Sequence, residues 1–399
     1  MVKHGWTSAL LAWVALSWAA PQSRAFQVPP AGPAASTAGR TPRLIPRTSA
    51  EREQRFLTQH RIILNVHVSD SAGKPHPELS QADFTVLDNA QARNLVNFRS
   101  IEGATGGAHV VLVLDALNNF TRQIHSFAKD IEQYLKEGEE SLPAPVSIGL
   151  FSGYGIDLGK PSRDRSALLA ELKSKTADLH ATGCVTQQDR ASNTIQPYSP
   201  GAYGNVRNGS TQELVCKNDR FVASINALSL FARREVDEPG RVIVIWLGPG
   251  WPMLTDKAFT PDPPELKQSF FERLVSLSTL LREAQVTVDA VGSPDDSINP
   301  QTPDIHDYKF FDGISSPDQV SAADMGLHPL AHQTGGRIFP ETKDVAGQIR
   351  ECVNDAASYY VLSFDAPPAP GFGEFHTLAV KIDKPGLDVR TNTLYYAEQ

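Results

Sequence analysis

The chain has 399 residues, a formal net charge of −8 and 41% hydrophobic residues, which suits two domains with buried cores. No cluster of Lys and Arg offsets the acidic balance, which argues against a nucleic-acid partner and against a polybasic membrane-surface patch. Three cysteines are far too few for a disulfide scaffold.

The first 25 residues have the layout of a signal peptide. Lys3 and His4 precede an uncharged run from Ala9 to Ala20, and Ser23-Arg24-Ala25 offers small residues for a cut after Ala25. The run is shorter than the ~20 residues of a membrane-spanning helix. We therefore predict cleavage near Ala25 and a secreted or periplasmic protein without a membrane span. The alternative is a short anchor that stays uncleaved.

Residues 26–58 are rich in Pro, Ala, Ser and Thr and show little hydrophobic periodicity, so we predict a disordered linker. Strand patterns follow in residues 59–104, at Ile62 to Val68, Phe84 to Leu87 and Leu95 to Phe98. Three short strands need something to cover one face of their sheet.

Strand patterns return in residues 357–399, at Tyr359 to Phe364, Thr377 to Ile382 and Leu387 to Tyr395. Because domain termini commonly lie close together, we predict that the two ends of the chain fold as one small β-sandwich.

Between these ends, residues 105–356 alternate strands and helices. Val110 to Leu114 is a continuous apolar run, typical of a strand buried on both faces of a parallel sheet. Further strands are predicted at Val146 to Phe151, Arg241 to Leu247, Val286 to Val291 and Arg337 to Phe339. Helices are predicted at Phe120 to Lys136, Arg163 to Thr176, Gln212 to Arg234, Pro264 to Ala284, His328 to Gln333 and Asp344 to Ala356. The alternation predicts a doubly wound, mostly parallel α/β sheet of Rossmann-like architecture, inserted in the sandwich.

Cys184 and Cys216 bracket a loop rich in Gly, Asn, Ser and Tyr. Export permits a disulfide, and a bridge here would limit the freedom of the loop. Cys352 lies in a helical pattern and is predicted to be buried and free. The pairing of Cys184 with Cys216 stays open, because a sequence shows no distance.

In such a sheet, ligands bind outside the carboxyl ends of the strands, where we single out Asp115, Asn119, Ser152 and Trp251 as ligand-binding candidates. A carboxylate that ends a central strand, with polar oxygens nearby, is how proteins hold Mg²⁺. The alternative is that Asp115 caps the following helix. Trp251 is predicted to anchor a protein partner, unless it packs against the adjacent loop.

Three stretches resemble the von Willebrand factor type A domain: Val110 to Asp115, Pro239-Gly-Arg-Val-Ile-Val-Ile-Trp-Leu-Gly, and His328-Pro-Leu-Ala-His-Gln-Thr-Gly-Gly-Arg-Ile-Phe. The flanking pieces Gly73 to Phe98 and Tyr359 to Tyr396 are similar to the exported bacterial subgroup called VWFA-related acidobacterial proteins. The resemblance implies that residues 105–356 form a domain of this type.

The resemblance also implies a metal site, which in this family uses Asp-x-Ser-x-Ser, a Thr and a second Asp. Asp115 matches the first Asp, whereas Leu117 and Asn119 stand at the two Ser positions. Thr211 is the candidate for the Thr, and Gly248-Pro-Gly stands where the second Asp would follow its strand. The implied site is therefore degenerate, with Asp115, Asn119 and Thr211 as its remaining ligands and Mg²⁺ as the one cofactor left open.

We expect an exported, non-enzymatic protein that binds another protein, as an adhesion or scaffold module. The sequence has no Gly-x-Ser-x-Gly elbow, no phosphate-binding loop and no dinucleotide-binding motif after the first strand. Two alternatives stay open: a hydrolase that uses Ser152, and a purely structural protein of the envelope.

Overall fold

The computed structural model describes residues 60–103, 108–138, 141–182, 184, 211–236, 238, 240–251, 264–293, 313–320, 322–340 and 342–397. These residues belong to one structural unit, which begins at Glu51. The predicted signal peptide (1–25) and linker (26–58) lie outside the described residues. None of the helices that the structure describes is long and apolar enough to cross a bilayer.

Fifteen strands and six longer helices make up the described chain. The strands are β1 (Arg61–Asp70), β2 (Phe84–Asp88), β3 (Gln91–Arg93), β4 (Asn97–Glu102), β5 (His109–Asp115), β6 (Ser141–Phe151), β7 (Ile156–Leu158), β8 (Ser162–Asp164), β9 (Val242–Leu247), β10 (Val286–Ser293), β11 (Ile338–Pro340), β12 (Ser358–Asp365), β13 (Glu374–Ile382), β14 (Leu387–Arg390) and β15 (Leu394–Ala397). The helices are α1 (Thr121–Lys136), α2 (Arg165–Thr176), α3 (Thr211–Glu235), α4 (Pro264–Glu283), α5 (Leu327–Gln333) and α6 (Val345–Asp355).

The two ends of the chain form a β-sandwich. One sheet has the strand order β14-β1-β12-β4 and the other has the order β15-β13-β2-β3. All pairs in both sheets are antiparallel. Each sheet mixes strands from both ends of the chain, so neither end could complete a sheet without the other.

Alternating side chains of β1 and β12 serve two cores. Leu64 and Leu362 lie in the core between the two sheets of the sandwich. On the opposite face, Tyr359 and Val361 pack in the same cluster as Ile349 and Val353 of α6. The sandwich therefore shares buried surface with the inserted domain, and the two parts stabilise each other.

The inserted domain has one sheet in the order β11-β10-β9-β5-β6-β7, with β8 paired to β6. The pairs among β5, β6, β9, β10 and β11 are parallel, whereas β7 and β8 run antiparallel to β6. Buried side chains of α1, α2 and α6 cover one face, and those of α3, α4 and α5 cover the other. The predicted fold class, a doubly wound α/β sheet inserted in a split β-sandwich, is confirmed.

The predicted elements differ from the structure at the small strands. The single strand predicted from Leu387 to Tyr395 is two strands, β14 and β15, which belong to different sheets of the sandwich. The chain crosses between the sheets at residues 391–393, where no periodicity marks the break. The short strands β3, β7 and β8 were not predicted.

Thr334, Gly335 and Gly336 form a close contact between α5 and the neighbouring strands. The Thr334 hydroxyl accepts a hydrogen bond from Val288 N (3.0 Å) and donates to Leu330 O (2.9 Å). A Cβ on Gly336 would lie 1.9 Å from Val288 O, so only glycine allows this approach. This stretch of the family-like sequence therefore packs α5 closely against β10.

An ion network joins the sandwich to the α/β domain around Asp355, at the end of α6. Arg337 donates to Asp355 through Nε (2.8 Å, to Oδ2) and Nη2 (3.2 Å, to Oδ1). Arg390 of β14 donates to the same carboxylate through Nη2 and to Gly335 O through Nη1 (2.6 Å). Arg241 stacks over the Tyr359 ring, with its guanidinium carbon 5.0 Å from the ring centroid. The Asp355 carboxylate thus binds Arg337 of the α/β domain and Arg390 of the sandwich.

The groups of this network have shifted pKa values. Burial lowers the pKa of His67 well below its ordinary value, so the imidazole is neutral at physiological pH. Burial raises the pKa of Asp355, but His67, whose Nδ1 lies 3.7 Å from Oδ1, and then Arg390 and Arg337 lower it to well below its ordinary value. Because His67 is neutral at physiological pH, we attribute the lowering in that range to the two guanidinium groups. Asp355 is therefore ionised throughout the physiological range.

Candidate functional site

The predicted site lies where the strand order of the sheet reverses. The chain leaves β5 toward β6 on one side and leaves β9 toward β10 on the other, while β5 and β9 are neighbours. In doubly wound sheets, the crevice between two such strand ends is the usual ligand site. Asp115 ends β5 and Leu247 ends β9, so Asp115 lies at the crevice between these two strand ends.

The Asp115 side chain is fully buried and already has four donors. Oδ1 accepts from Leu117 N (3.0 Å) and Asn118 N (2.8 Å), while Oδ2 accepts from Asn118 Nδ2 (2.8 Å) and Trp246 Nε1 (2.9 Å). A carboxylate has about four lone-pair directions, so these bonds saturate it. Burial raises the pKa of Asp115, and the bonds from Asn118 and Trp246 oppose that rise. Since every neighbour donates, the geometry suits the ionised form.

Asp115 does not cap the following helix, which was the alternative interpretation. Helix α1 begins at Thr121, and Phe120 is its N-cap residue. The carboxylate instead closes the turn that leads from β5, by accepting the backbone N–H groups of Leu117 and Asn118. Its role in the backbone is local to that turn.

Asn118 links this carboxylate to α3, which sequence reasoning missed. Besides bonding Asp115, its Nδ2 donates to Ser224 Oγ (3.0 Å), and its Oδ1 accepts from Arg220 Nε (3.3 Å). Arg220 is 3% exposed and Ser224 is fully buried. Positions 217, 220 and 224 lie on one face of α3, and a charged residue on a helix is ordinarily solvated, so the sequence carries no signal that Arg220 is buried.

Asn119 fills the crevice between the two strand ends. Its Nδ2 donates to Asp115 O (2.8 Å) and lies 3.5 Å from Leu247 O. A Cβ on Gly248 would come within 2.3 Å of the same nitrogen, and φ at Gly248 is +141°. Asn119 Oδ1 is buried and accepts no hydrogen bond from the described residues. The Asn119 amide therefore fills the crevice between the ends of β5 and β9, and its Oδ1 is the one oxygen of this side chain without a donor among the described residues.

The residues present do not fit a divalent cation. Asp115 is saturated, Leu117 packs against Gly153, and Thr211 is the first residue of α3 with a side chain outside the described residues. No group of three or more His, Cys, Asp or Glu side chains that could hold a metal occurs in the described part of the chain. One free amide oxygen falls far short of the six or so oxygens that Mg²⁺ prefers.

Ser152 has no activating base among the residues that the structure describes. It follows β6, and its backbone carbonyl accepts a hydrogen bond from Thr182 Oγ1 (3.0 Å). No histidine among the described residues hydrogen-bonds its hydroxyl. A serine hydrolase requires such a base within hydrogen-bonding reach, so the geometry does not support the hydrolase interpretation.

Trp251 is a core residue, which corrects its prediction as an exposed anchor. Its side chain is 2% exposed, and Nε1 donates to Met325 O (2.8 Å). Its ring meets that of Trp246 edge-on, with centroids 5.2 Å apart. A partner protein could not reach the ring, so packing against the adjacent loop, the alternative, describes its position.

An exposed aromatic residue does lie at the strand ends, at the turn after β6. Tyr154 is 98% exposed, and it borders a groove of about 290 Å³ against the outer face of α3. We call this surface the α3 groove and define it by Tyr154, Asp219, Val222, Asn226 and Leu230. Leu230 is 62% exposed and Val222 is 38% exposed. These exposed side chains line one groove, which makes it a candidate contact surface.

Cys184 and Cys216 form a disulfide, with their Cα atoms 5.8 Å apart. Cys216 is buried on α3, one turn before Arg220. The loop that the bridge closes lies outside the described residues, apart from its ends. The bridge ties the start of α3 to the segment that follows α2. Cys352 is buried and unpaired.

Comparisons of sequence found no match, either with protein-family models or with curated proteins. Solved structures with partial likeness include human COPII-coat protein Sec24c, at 9% identity and a TM-score of 0.33. The superposition with Sec24c covers 75% of this chain and 44% of Sec24c, and the coverages below are given in the same order. Manganese-loaded TRAP protein from Plasmodium vivax (10%, TM-score 0.31) covers 76% and 99%. The ArnB paralog VWA2 from Sulfolobus acidocaldarius (10%, TM-score 0.27) covers 84% and 76%.

The chain spans less than half the length of Sec24c, and the TM-scores are low throughout. The fold assignment therefore rests on the strand order, the register and the two buried helix layers described above.

Proposed function

We propose that this chain is an exported, non-enzymatic protein-binding module of the von Willebrand factor type A kind, acting in adhesion or as a scaffold. The observation that carries the proposal is the α3 groove, where Tyr154 is 98% exposed beside Leu230. Aromatic side chains are enriched at the centres of protein interfaces because they bury a large area at a small entropy cost.

The partner is a protein that presents an apolar side chain next to a basic one. The apolar side chain fits between Tyr154 and Val222, and the exposed carboxylate of Asp219 lines the same groove. A basic rim on the partner also suits the acidic net charge of the chain, which favours encounter with a cationic surface. The family-like metal site is degenerate in this proposal, so binding needs no divalent cation.

Export is part of the proposal and is supported by the signal-peptide layout of residues 1–25. A Cys184–Cys216 disulfide suits an oxidising compartment. No histidine among the described residues hydrogen-bonds the Ser152 hydroxyl, which supports a binding role over a hydrolytic one.

The test is affinity capture from the native envelope, followed by binding measurements with the purified partner. Tyr154→Ser and Leu230→Asp are expected to weaken binding about tenfold or more, as for residues at an interface centre. Phe372→Ser is the matched control, because Phe372 is 56% exposed and lies outside the groove. Equal binding by all three variants would show that the groove is not the docking surface.

A further inference from the structure

A second buried charge accompanies Asp115 at the strand ends. Arg220 is 3% exposed, and its Nε donates to Asn118 Oδ1 (3.3 Å), while the Asn118 amide donates to Asp115 Oδ2 (2.8 Å). One turn earlier on the same helix, Lys217 is 8% exposed. Helix α3 therefore brings positive charge to the place where β5 presents a buried carboxylate.

Burial of either charge by itself would be strongly unfavourable. A carboxylate taken out of water loses its hydration, and protein dipoles with an opposite charge must replace it. Burial raises the pKa of Asp115, and its hydrogen bonds from Asn118 and Trp246, followed by the charge of Arg220, oppose that rise and favour the ionised form. In the same way, the Asp115 charge and the Asn118 amide oxygen stabilise the buried guanidinium.

We call Asp115, Asn118 and Arg220 the strand-end cluster. We infer that Arg220 serves as the cation of this cluster, and that the cluster does not bind divalent metal ions. The guanidinium supplies the positive charge that an ionised carboxylate requires in this crevice. Unlike a bound ion, it is covalently part of α3 and is present at any external metal concentration.

Three neighbours keep a metal ion out. A cation on Asp115 Oδ2 would displace the indole N–H of Trp246 and leave that buried donor without an acceptor. The Asn119 amide occupies the crevice between Asp115 and Leu247. Leu117 points at Gly153, where its side chain offers no oxygen. A divalent ion would therefore meet one repelling guanidinium and too few ligands.

The experiment follows thermal unfolding of the full chain in 5 mM Mg²⁺, in 5 mM Mn²⁺ and in EDTA. The wild type is expected to unfold within about 1 °C in all three solutions, because nothing binds preferentially to its folded state. Arg220→Met is expected to lower the midpoint by roughly 5–10 °C, since it leaves Asp115 buried without its counter-charge. Arg233→Met, at an exposed position of the same helix, is the matched control and is expected to change little.

A double-mutant cycle with Asp115→Asn tests the pairing directly. The double variant Asp115→Asn/Arg220→Met is expected to lose clearly less than the sum of the two single losses, because without the Asp115 charge the loss of Arg220 no longer leaves a buried carboxylate without a nearby cation. Additive losses would overturn the proposal, and so would a wild-type midpoint that rises by more than about 2 °C with either metal.

If Arg220→Met fails to fold, Arg220→Lys decides. Lysine keeps the charge and loses the planar fork, so a soluble, folded Arg220→Lys protein supports the proposal. A Lys variant no more stable or soluble than Arg220→Gln, which keeps a hydrogen-bond donor without the charge, would overturn the proposal. These readouts need no partner, so they stay independent of the proposed binding function.

Discussion

Replacement of Asp355 by asparagine tests whether the ion network holds the sandwich to the α/β domain. The side chain keeps its shape but loses its charge. Arg337 and Arg390 then face each other without the carboxylate that both of them contact. Asparagine also brings an NH₂ group toward donors, so at least one hydrogen bond becomes a donor–donor contact.

The expected loss follows from burial. Removing one partner of a fully buried ion pair costs about 3–5 kcal/mol, whereas an exposed pair is worth about 0–1 kcal/mol. The Asp355 side chain is 11% exposed, and those of Arg337 and Arg390 are 28% and 25% exposed. Water can partly solvate the two freed guanidinium groups, so we expect a loss of about 2–4 kcal/mol in the free energy of unfolding.

Urea unfolding is followed by tryptophan fluorescence, which reports on the buried Trp246 and Trp251, and by far-UV circular dichroism. Asp365→Asn is the matched control, because Asp365 also pairs with an arginine, Arg61, but at side-chain exposures of 47% and 35%. Its loss is expected to stay below about 1 kcal/mol. If Asp355→Asn loses no more than Asp365→Asn, the network does not hold the two parts together and the reasoning fails.

Two further predictions concern acid and the disulfide. Burial lowers the pKa of His328 to about 4 and that of His67 well below its ordinary value, so the unfolded chain binds more protons below about pH 6.5 and stability falls as pH falls. The free energy of unfolding is measured in urea at pH 7.5, 5.5 and 4.5 for the wild type and for His328→Gln. Below about pH 6.5, its slope against pH is expected to be smaller for the variant, by about 1.4 kcal/mol per pH unit. An unchanged slope would contradict this assignment. Cys184 and Cys216 are 32 positions apart, so replacing both with serine is expected to cost about 3–4 kcal/mol in chain entropy. Denaturant unfolding of the wild type with and without reductant provides the comparison, and a loss under about 1 kcal/mol would show that the bridge barely restricts the unfolded chain.

Much of the fold was predictable because its elements carry strong periodic signals. The apolar run at Val110 to Leu114 is β5, and the alternation around Ile62 to Val68 is β1. The prediction that the two chain ends fold together rested on the general tendency of domain termini to lie close together. The split of β14 from β15 was not predictable, because both segments look equally strand-like and only the tertiary structure assigns them to different sheets.

The candidate site was predictable in position but not in chemistry. Asp115 was found from its place at the end of a strand. Exposure depends on partners that are distant in sequence, which is why the sequence left open whether Trp251, bonded to Met325, anchors a partner or packs against the adjacent loop. Arg220 was overlooked for the opposite reason, since a charged residue in a helix is usually solvated and its burial appears only when α3 is placed over β5.

The way the α/β domain is attached has a mechanical consequence. The chain enters the domain after Glu102 of β4 and returns at Ser358 of β12, and these two residues are paired neighbours in one sheet. A pull on the two ends of the described chain acts first on β1 and β15, which both belong to the sandwich. The tension then reaches the hydrogen bonds of the sandwich and also the inserted domain, because Tyr396 of β15 packs edge-on against Phe271 of α4 and donates to Ile314 O (2.9 Å).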